Sequence, residues 1–270
     1  MKDRNDTTQG KTQEPRDLIS WVRDVIWVPT CRLLRTTMAI AWKEIQIYFT
    51  TPTAYIIGAM FLIYAGIMFV LDITGQSPEA SVRSFILPTS TFFILLSPLL
   101  TMRLLAEEQK LGTLELLLTA PVRDWEVVVG KYLASVVILV ATLALTAYYV
   151  IMIYSFGNPD TGPLLSAYLG VVLYGAAALS VGLLASSLSS NQLVSSVVGM
   201  GTLLILTFID ELGSRLSGIP AEILSNISMR SHFGDFVRGI IDTGNIVYYI
   251  SIIAIFLFLT IRSVETRRWR

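Results

Sequence analysis

The chain has 270 residues, of which 53% are hydrophobic and only 15% charged, and its mean hydropathy is +0.64. A soluble domain carries about a quarter charged residues, so this is an integral membrane protein, and a net charge of zero offers no footing for nucleic acid. A single cysteine, Cys31, excludes an internal disulfide, and a single histidine, His232, excludes a histidine-rich metal site.

Residues 1–16 are polar and without periodicity, as in a disordered cytoplasmic tail. They hold no apolar signal-peptide core, so no cleaved targeting segment is expected. Residues 17–51 read as amphipathic interfacial helices. Leu18, Trp21, Val22, Val25 and Ile26 share one helical face before Pro29, and a tryptophan-bearing helix of this kind suits the bilayer surface. A second helix runs from about Arg32 to Thr50 through Trp42-Lys43-Glu44 and stops at Thr50-Thr51-Pro52.

Membrane spans are found where charge is absent, since about 20 apolar residues cross about 30 Å of hydrocarbon. The spacing predicts six, at about 52–72, 84–104, 126–155, 164–186, 193–211 and 244–262. The uncharged stretch from Thr161 to Ile209 is too long for one crossing, and the polar run from Ser186 to Gln192 divides it into spans four and five. The expected fold class is therefore an all-α integral membrane protein with six transmembrane helices, closed by a basic cytoplasmic tail at 263–270. Sixteen of the twenty Lys and Arg fall on the side that holds both chain ends and the loop after span two, leaving only Arg83, Arg215, Arg230 and Arg238 on the other. The positive-inside rule makes the richer side cytoplasmic and implies a multi-pass protein of the plasma membrane.

Between spans two and three lies a charged, leucine-rich island, Arg103 to Lys131. Leu104, Leu111, Leu114 and Leu118 form one apolar helical stripe, and Glu108, Gly112 and Glu115 lie on another face. Thr119-Ala120-Pro121 breaks the helix, because the residue before proline leaves the α region, and Pro121 suits the opening turn of the next helix. By periodicity alone such an element is either an ordinary amphipathic loop helix lying on the headgroups or one that touches something in the water.

The loop between spans five and six, Asp210 to Asn245, faces outward. Phe233, Phe236, Val237, Ile240 and Ile241 follow helical spacing, which reads as a short amphipathic helix dipping into the outer leaflet, preceded by another near Ala221 to Ile227.

Some chemistry is missing. Gly130-Lys131 is followed by Tyr132 and preceded five positions earlier by Trp125, so the phosphate-binding loop spacing fails and the chain is expected to bind no nucleotide. Ion-driven carriers bury an acid or histidine at mid-membrane. Asp72, Asp210 and Glu211 sit only at span ends, which weighs against that class. Ser195 and Gly199, four apart in span five, let helices approach closely, either within one chain or between two.

The run Glu107-Glu108-x-x-x-Gly112-Thr113-x-Glu115-x-Leu117-Leu118-Thr119-Ala120-Pro121-Val122, with Trp125 and Gly130-Lys131 behind it, resembles the coupling loop of type-2 ABC exporter permeases. Lys43-Glu44-Ile45-x-x-Tyr48-Phe49-x-x-Pro52-x-Ala54-Tyr55 is similar to the start of the permeases grouped with gliding-motility exporters. Ser228-x-x-x-His232-Phe233-x-x-Phe236-x-x-Gly239-x-x-Asp242 resembles the external re-entrant helix of the same family.

The resemblance covers nearly the whole chain from Lys43, and it implies a transport subunit that is not itself an enzyme. ATP and Mg would be held by separate ATP-binding subunits, and no cofactor by this chain. Glu107, Glu108, Gly112, Thr113 and Glu115, with Lys43 and Glu44 nearby, would meet those subunits. A second permease copy or a paralogue would complete the substrate pathway along Phe92, Phe93, Leu96, Ser195, Gly199 and Thr202. His232, Phe233, Phe236, Gly239 and Asp242 would form the re-entrant element. An alternative is a membrane anchoring, assembly or mechanical-signalling subunit that uses this architecture without transport.

Overall fold

The computed structural model describes residues 28–74, 83–113, 122–156, 161–213, 215 and 218–268. The expectations for residues 1–26 and for Leu114 through Pro121, including Glu115, lie outside the described residues. Ten helices follow in order among them: α1 Val28–Thr50, α2 Pro52–Ile73, α3 Arg83–Thr91, α4 Phe93–Leu111, α5 Asp124–Phe156, α6 Thr161–Leu188, α7 Gln192–Gly213, α8 Ile219–Ile227, α9 Met229–Val237 and α10 Thr243–Arg268. Six helical segments are long and apolar enough to cross a membrane: α2, the continuation of α3 into α4, α5, α6, α7 and α10.

The second of these is not one helix. Pro88 lies within α3 and Pro98 within α4, and the helix breaks between them at Phe92. The Phe92 amide there bonds back to Thr89, three residues away, instead of to Pro88. The Pro88 carbonyl accepts instead from the Tyr64 hydroxyl on α2, at 3.3 Å. A carbonyl released from the helical ladder must be met elsewhere in lipid, and here a neighbouring span meets it.

The six-helix bundle is centred on α6, whose apolar stretch is 78% buried against 17% for α10 and 22% for α2. Burial on all sides removes any amphipathic stripe, so α6 is apolar and small throughout. Gly182 sits so close to Thr101, Pro98 and Ser97 of α4 that a Cβ would collide with the Thr101 hydroxyl. Gly170 leaves the same room for the Phe236 ring of α9.

Between α7 and α10 the short helices α8 and α9 fold back into the bundle. The Ser228 hydroxyl donates to the Thr207 carbonyl at 3.0 Å, and the Tyr249 hydroxyl donates to Met229 at 2.7 Å. Thr207 lies six residues before the end of α7, and Tyr249 six after the start of α10. At 1.5 Å per residue, the α8–α9 junction is therefore sunk about 9 Å below both helix ends.

The outer amphipathic pattern is shorter than its sequence suggests. Phe233, Phe236 and Val237 are fully buried against α6, while Ile240 and Ile241 are exposed. A C-terminal motif ends α9 between them: Ile240 N–H bonds to Asp235, Gly239 N–H to Phe236, and Gly239 takes φ 86°. That left-handed residue turns the chain away from the stripe. The apolar face of α9 thus fills the protein core, whereas helical spacing alone reads it as a lipid-facing stripe.

Candidate functional site

At the end of the bundle that gathers Glu44, Glu108, Lys131, Ser187 and Arg267, three elements meet. Helix α1 contributes a buried stripe of Thr37, Ala41, Glu44 and Tyr48, at spacings of four, three and four, and so packs one face on α5. Gly130 of α5 makes that approach possible, since a Cβ there would stand 3.0 Å from Ile40 and from the Thr37 carbonyl. Helix α5 starts with a cap: the Glu126 carboxylate accepts from the Arg123 amide at 3.2 Å. Its 33 residues run about 50 Å, well beyond a 30 Å hydrocarbon core. Asp124, Glu126 and Lys131 all fall in its first eight residues, and charge is costly in lipid, so this is the end suited to project from the apolar layer.

Lys131 stands in that projecting part. Its side chain is 1% exposed, and its ammonium donates to Glu44 Oε1 at 2.7 Å and to Glu108 Oε1 at 2.8 Å. One cation therefore ties α1, α4 and α5 together. Beside it, Arg103 pairs with Glu107 at 3.0 Å and reaches the Thr53 hydroxyl at the start of α2. The Tyr48 hydroxyl donates to the Leu100 carbonyl at 2.6 Å. Burial first, and then the Glu44 charge, hold this phenol well above its ordinary pKa, so it stays a donor at any working pH.

The same region is stitched to α6 and α10. Ser186 Oγ accepts from the amides of Leu105 and Ala106 at 3.2 and 3.0 Å and donates to the Met102 carbonyl. The last carbonyls of α6 receive Gln109 Nε2 at Ser187 and Arg267 Nη2 at Leu188. Cationic and amide donors of this kind satisfy orphan groups at a helix C-terminus. Helix α4 then ends at Leu111, and Gly112 caps it at φ 70°.

The residues expected to matter are distributed as follows. Glu44 and Glu108 share Lys131, Glu107 is held by Arg103, and Lys43 is exposed. Gly112 ends the helix, which interrupts the single helical stripe expected from Leu104 to Leu118, and nothing lies within 4 Å of where its Cβ would be. Thr113 bonds back to the Glu108 carbonyl at 3.4 Å.

Phe93, Leu96, Ser195 and Gly199 are enclosed within the subunit, with Gly199 against Pro98 and Ala185. Phe92 and Thr202 are half-buried, and the Phe92 ring stacks on Tyr64 with centroids 4.5 Å apart. Across the bundle, His232 stacks on Tyr248 at 3.8 Å and its Nδ1 lies 3.0 Å from the Ser228 carbonyl. Asp242 accepts from the Gly244 amide at the first turn of α10.

Sequence reasoning names Lys131 and Tyr48 within motifs and Ser186 within a polar run, but assigns no site role to them or to Arg267. Of these, Lys131 carried a signal, a lysine two turns into a helix that is free of charge beyond it. Among the described residues, no group of three or more His, Cys, Asp or Glu could hold a metal ion.

A cavity of about 210 Å³ lies within this junction. Glu44, Glu107 and Glu108 line it with Arg103 and Lys131, and Ile47, Leu104 and Leu111 supply apolar wall.

Comparison with known proteins bears on this arrangement. The family model described as "ABC-2 family transporter protein" matches residues 38–264. A protein of Escherichia coli strain K12 named "Probable multidrug ABC transporter permease YbhR" is 37% identical over 87 residues, which is 32% of this chain and 23% of that protein. Its counterpart in Escherichia coli O157:H7 gives the same figures. The aligned part thus spans about a quarter of the relatives' length.

Proposed function

The chain belongs to the ABC-2 family of transporter proteins, a multi-pass membrane family, and from that premise we propose that it is the membrane subunit of an ATP-driven exporter. Two such subunits, identical or paralogous, pair with two ATP-binding subunits that supply ATP and Mg. The chain sits in the plasma membrane with both ends in the cytoplasm.

One observation carries the reading: the base of the charged loop is not free but joined through Lys131 to α1 and α5. A partner that engages the loop therefore acts on the very contact that holds an interfacial helix and span three to it. The stretch 103–121 then serves as the handle that the ATP-binding subunit pulls. The expected pathway residues Phe92, Phe93, Leu96, Ser195, Gly199 and Thr202 carry no charge, which fits a hydrophobic or amphipathic cargo, in keeping with the multidrug permease named among the relatives.

The test is reconstitution. The chain is co-purified with its ATP-binding subunit, placed in liposomes and assayed for ATP-driven movement of amphipathic dyes. Leu111→Asp, at a position 67% exposed beside the loop, should insert normally yet lose the ATP-binding subunit. Stable assembly without ATP-driven flux of any cargo would sink the exporter reading and favour an anchoring or signalling role.

A further inference from the structure

We propose that Glu44, Lys131 and Glu108 form a two-position latch, opened when a basic side chain of the ATP-binding subunit takes Glu108 from Lys131. The inference rests on the functional reading above and names the contact through which that partner would act.

The charge count in the cavity is uneven. Its wall holds three carboxylates and two cations, and Arg103 with Glu107 makes a closed pair. That leaves two carboxylates on one ammonium. Glu44 and Glu108 each give one oxygen to Lys131, but Glu108 Oε2 is buried and has no hydrogen-bond partner among the described residues. A carboxylate oxygen removed from water without a donor is costly, so the triad gains by receiving one more cation.

The two arms are not equivalent. Glu44 is 8% exposed and its helix is packed along α5, whereas Glu108 is 19% exposed and sits four residues before the cap at Gly112. The cavity reaches Leu111, which is itself largely exposed. An incoming lysine or arginine therefore meets Glu108 first. Once Glu108 turns to it, Lys131 and Glu44 remain a one-to-one pair, so α1 stays bound to α5 while the ionic tie from α5 to α4 is released. Docking and release of that tie become one event, because the same carboxylate cannot fully serve both cations. Lysine and arginine are the fitting occupants, since the unmet atom is an ionised acceptor and charge-assisted bonds are the stronger class.

The experiment uses the full chain carrying Cys31→Ser and Leu104→Cys. Leu104 lines the cavity and is 2% exposed, so the rate of labelling by a small cationic thiol reagent reports opening. In this background Glu108→Gln should label about tenfold faster, as expected when the ionised acceptor of a charge-assisted hydrogen bond is exchanged for a neutral amide. Glu44→Gln should label more slowly, because Lys131 is then devoted to Glu108. Adding the ATP-binding subunit should speed labelling of the parent and have little effect on Glu44→Gln.

Should the two variants shift in the same direction, the triad is ordinary packing and the latch is overturned. If the ATP-binding subunit binds and labelling does not rise, the competing cation is overturned. Failure of the subunit to bind at all would instead strike the functional reading, and the opposed response of the two variants would still judge the latch.

Discussion

Gly199 of α7 lies flat against Pro98 of α4, so that a Cβ built on the glycine would stand 3.1 Å from the proline Cβ and 3.3 Å from that of Ala185. The small residue is needed inside one subunit. Gly199→Val should lower stability by about 1–3 kcal/mol through overpacking. Gly201→Ala, where nothing lies within 4 Å, should gain up to about 1 kcal/mol from helix propensity. Thermal unfolding of both in one detergent separates them. Equal melting temperatures would mean that α4 and α7 are not packed at this point.

The triad makes a sharper demand on stability. Lys131→Met leaves two largely buried carboxylates facing each other and should cost about 3–5 kcal/mol. Combining it with Glu44→Gln and Glu108→Gln removes the stranded charges and should recover most of that loss. Denaturation of the single and triple variants gives the comparison. A triple variant as weak as the single one would show that packing of the lysine stem, and not charge, holds the junction.

Ser186 is a third point of leverage. Its hydroxyl meets two amides and one carbonyl of α4, so Ser186→Ala should cost about 1–3 kcal/mol, the range for stranding buried polar groups. Ser190→Ala, in the exposed turn behind it, should change stability by less than about 0.5 kcal/mol. The two unfolding curves should be clearly apart, and overlap would remove Ser186 from the list of ties between α4 and α6.

Orientation can be read in intact cells. In a Cys31→Ser background, a cysteine at the exposed Lys110 should escape an impermeant thiol reagent, and one at the exposed Glu222 in α8 should react. Labelling at Lys110 from outside would invert the arrangement and detach the loop from ATP.

How much of this was legible beforehand depends on the kind of signal. Six apolar runs were plain because charge in lipid is costly, and their absence from long stretches marks helices at once. The break at Phe92 was not plain. Pro88 and Pro98 are visible, but proline inside a span is tolerated when a neighbour meets the freed carbonyl, and Tyr64 does so from 24 residues away. The end of α9 was missed for a related reason: Ile240 and Ile241 keep the helical period, yet Gly239 at positive φ ends the helix before them. At the junction, Glu44 and Glu108 could be picked out as charged positions. What joins them is a lysine 87 and 23 residues downstream, and periodicity carries no information at such separations.

Those separations also set an order of birth. Glu44 and Glu108 both leave the ribosome before the residue that unites them, Lys131 following by 87 and 23 positions. At about 5–20 residues per second, Glu44 waits roughly 4 to 17 s for its counter-ion, and Glu108 roughly 1 to 5 s. During that interval the first two crossings can be in the bilayer with their cytoplasmic acids still wet and unpaired. The arrival of the third crossing draws both acids out of water and fixes α1 against the growing bundle, so a chain interrupted before Lys131 would leave the insertion machinery with its spans in place and its junction unmade.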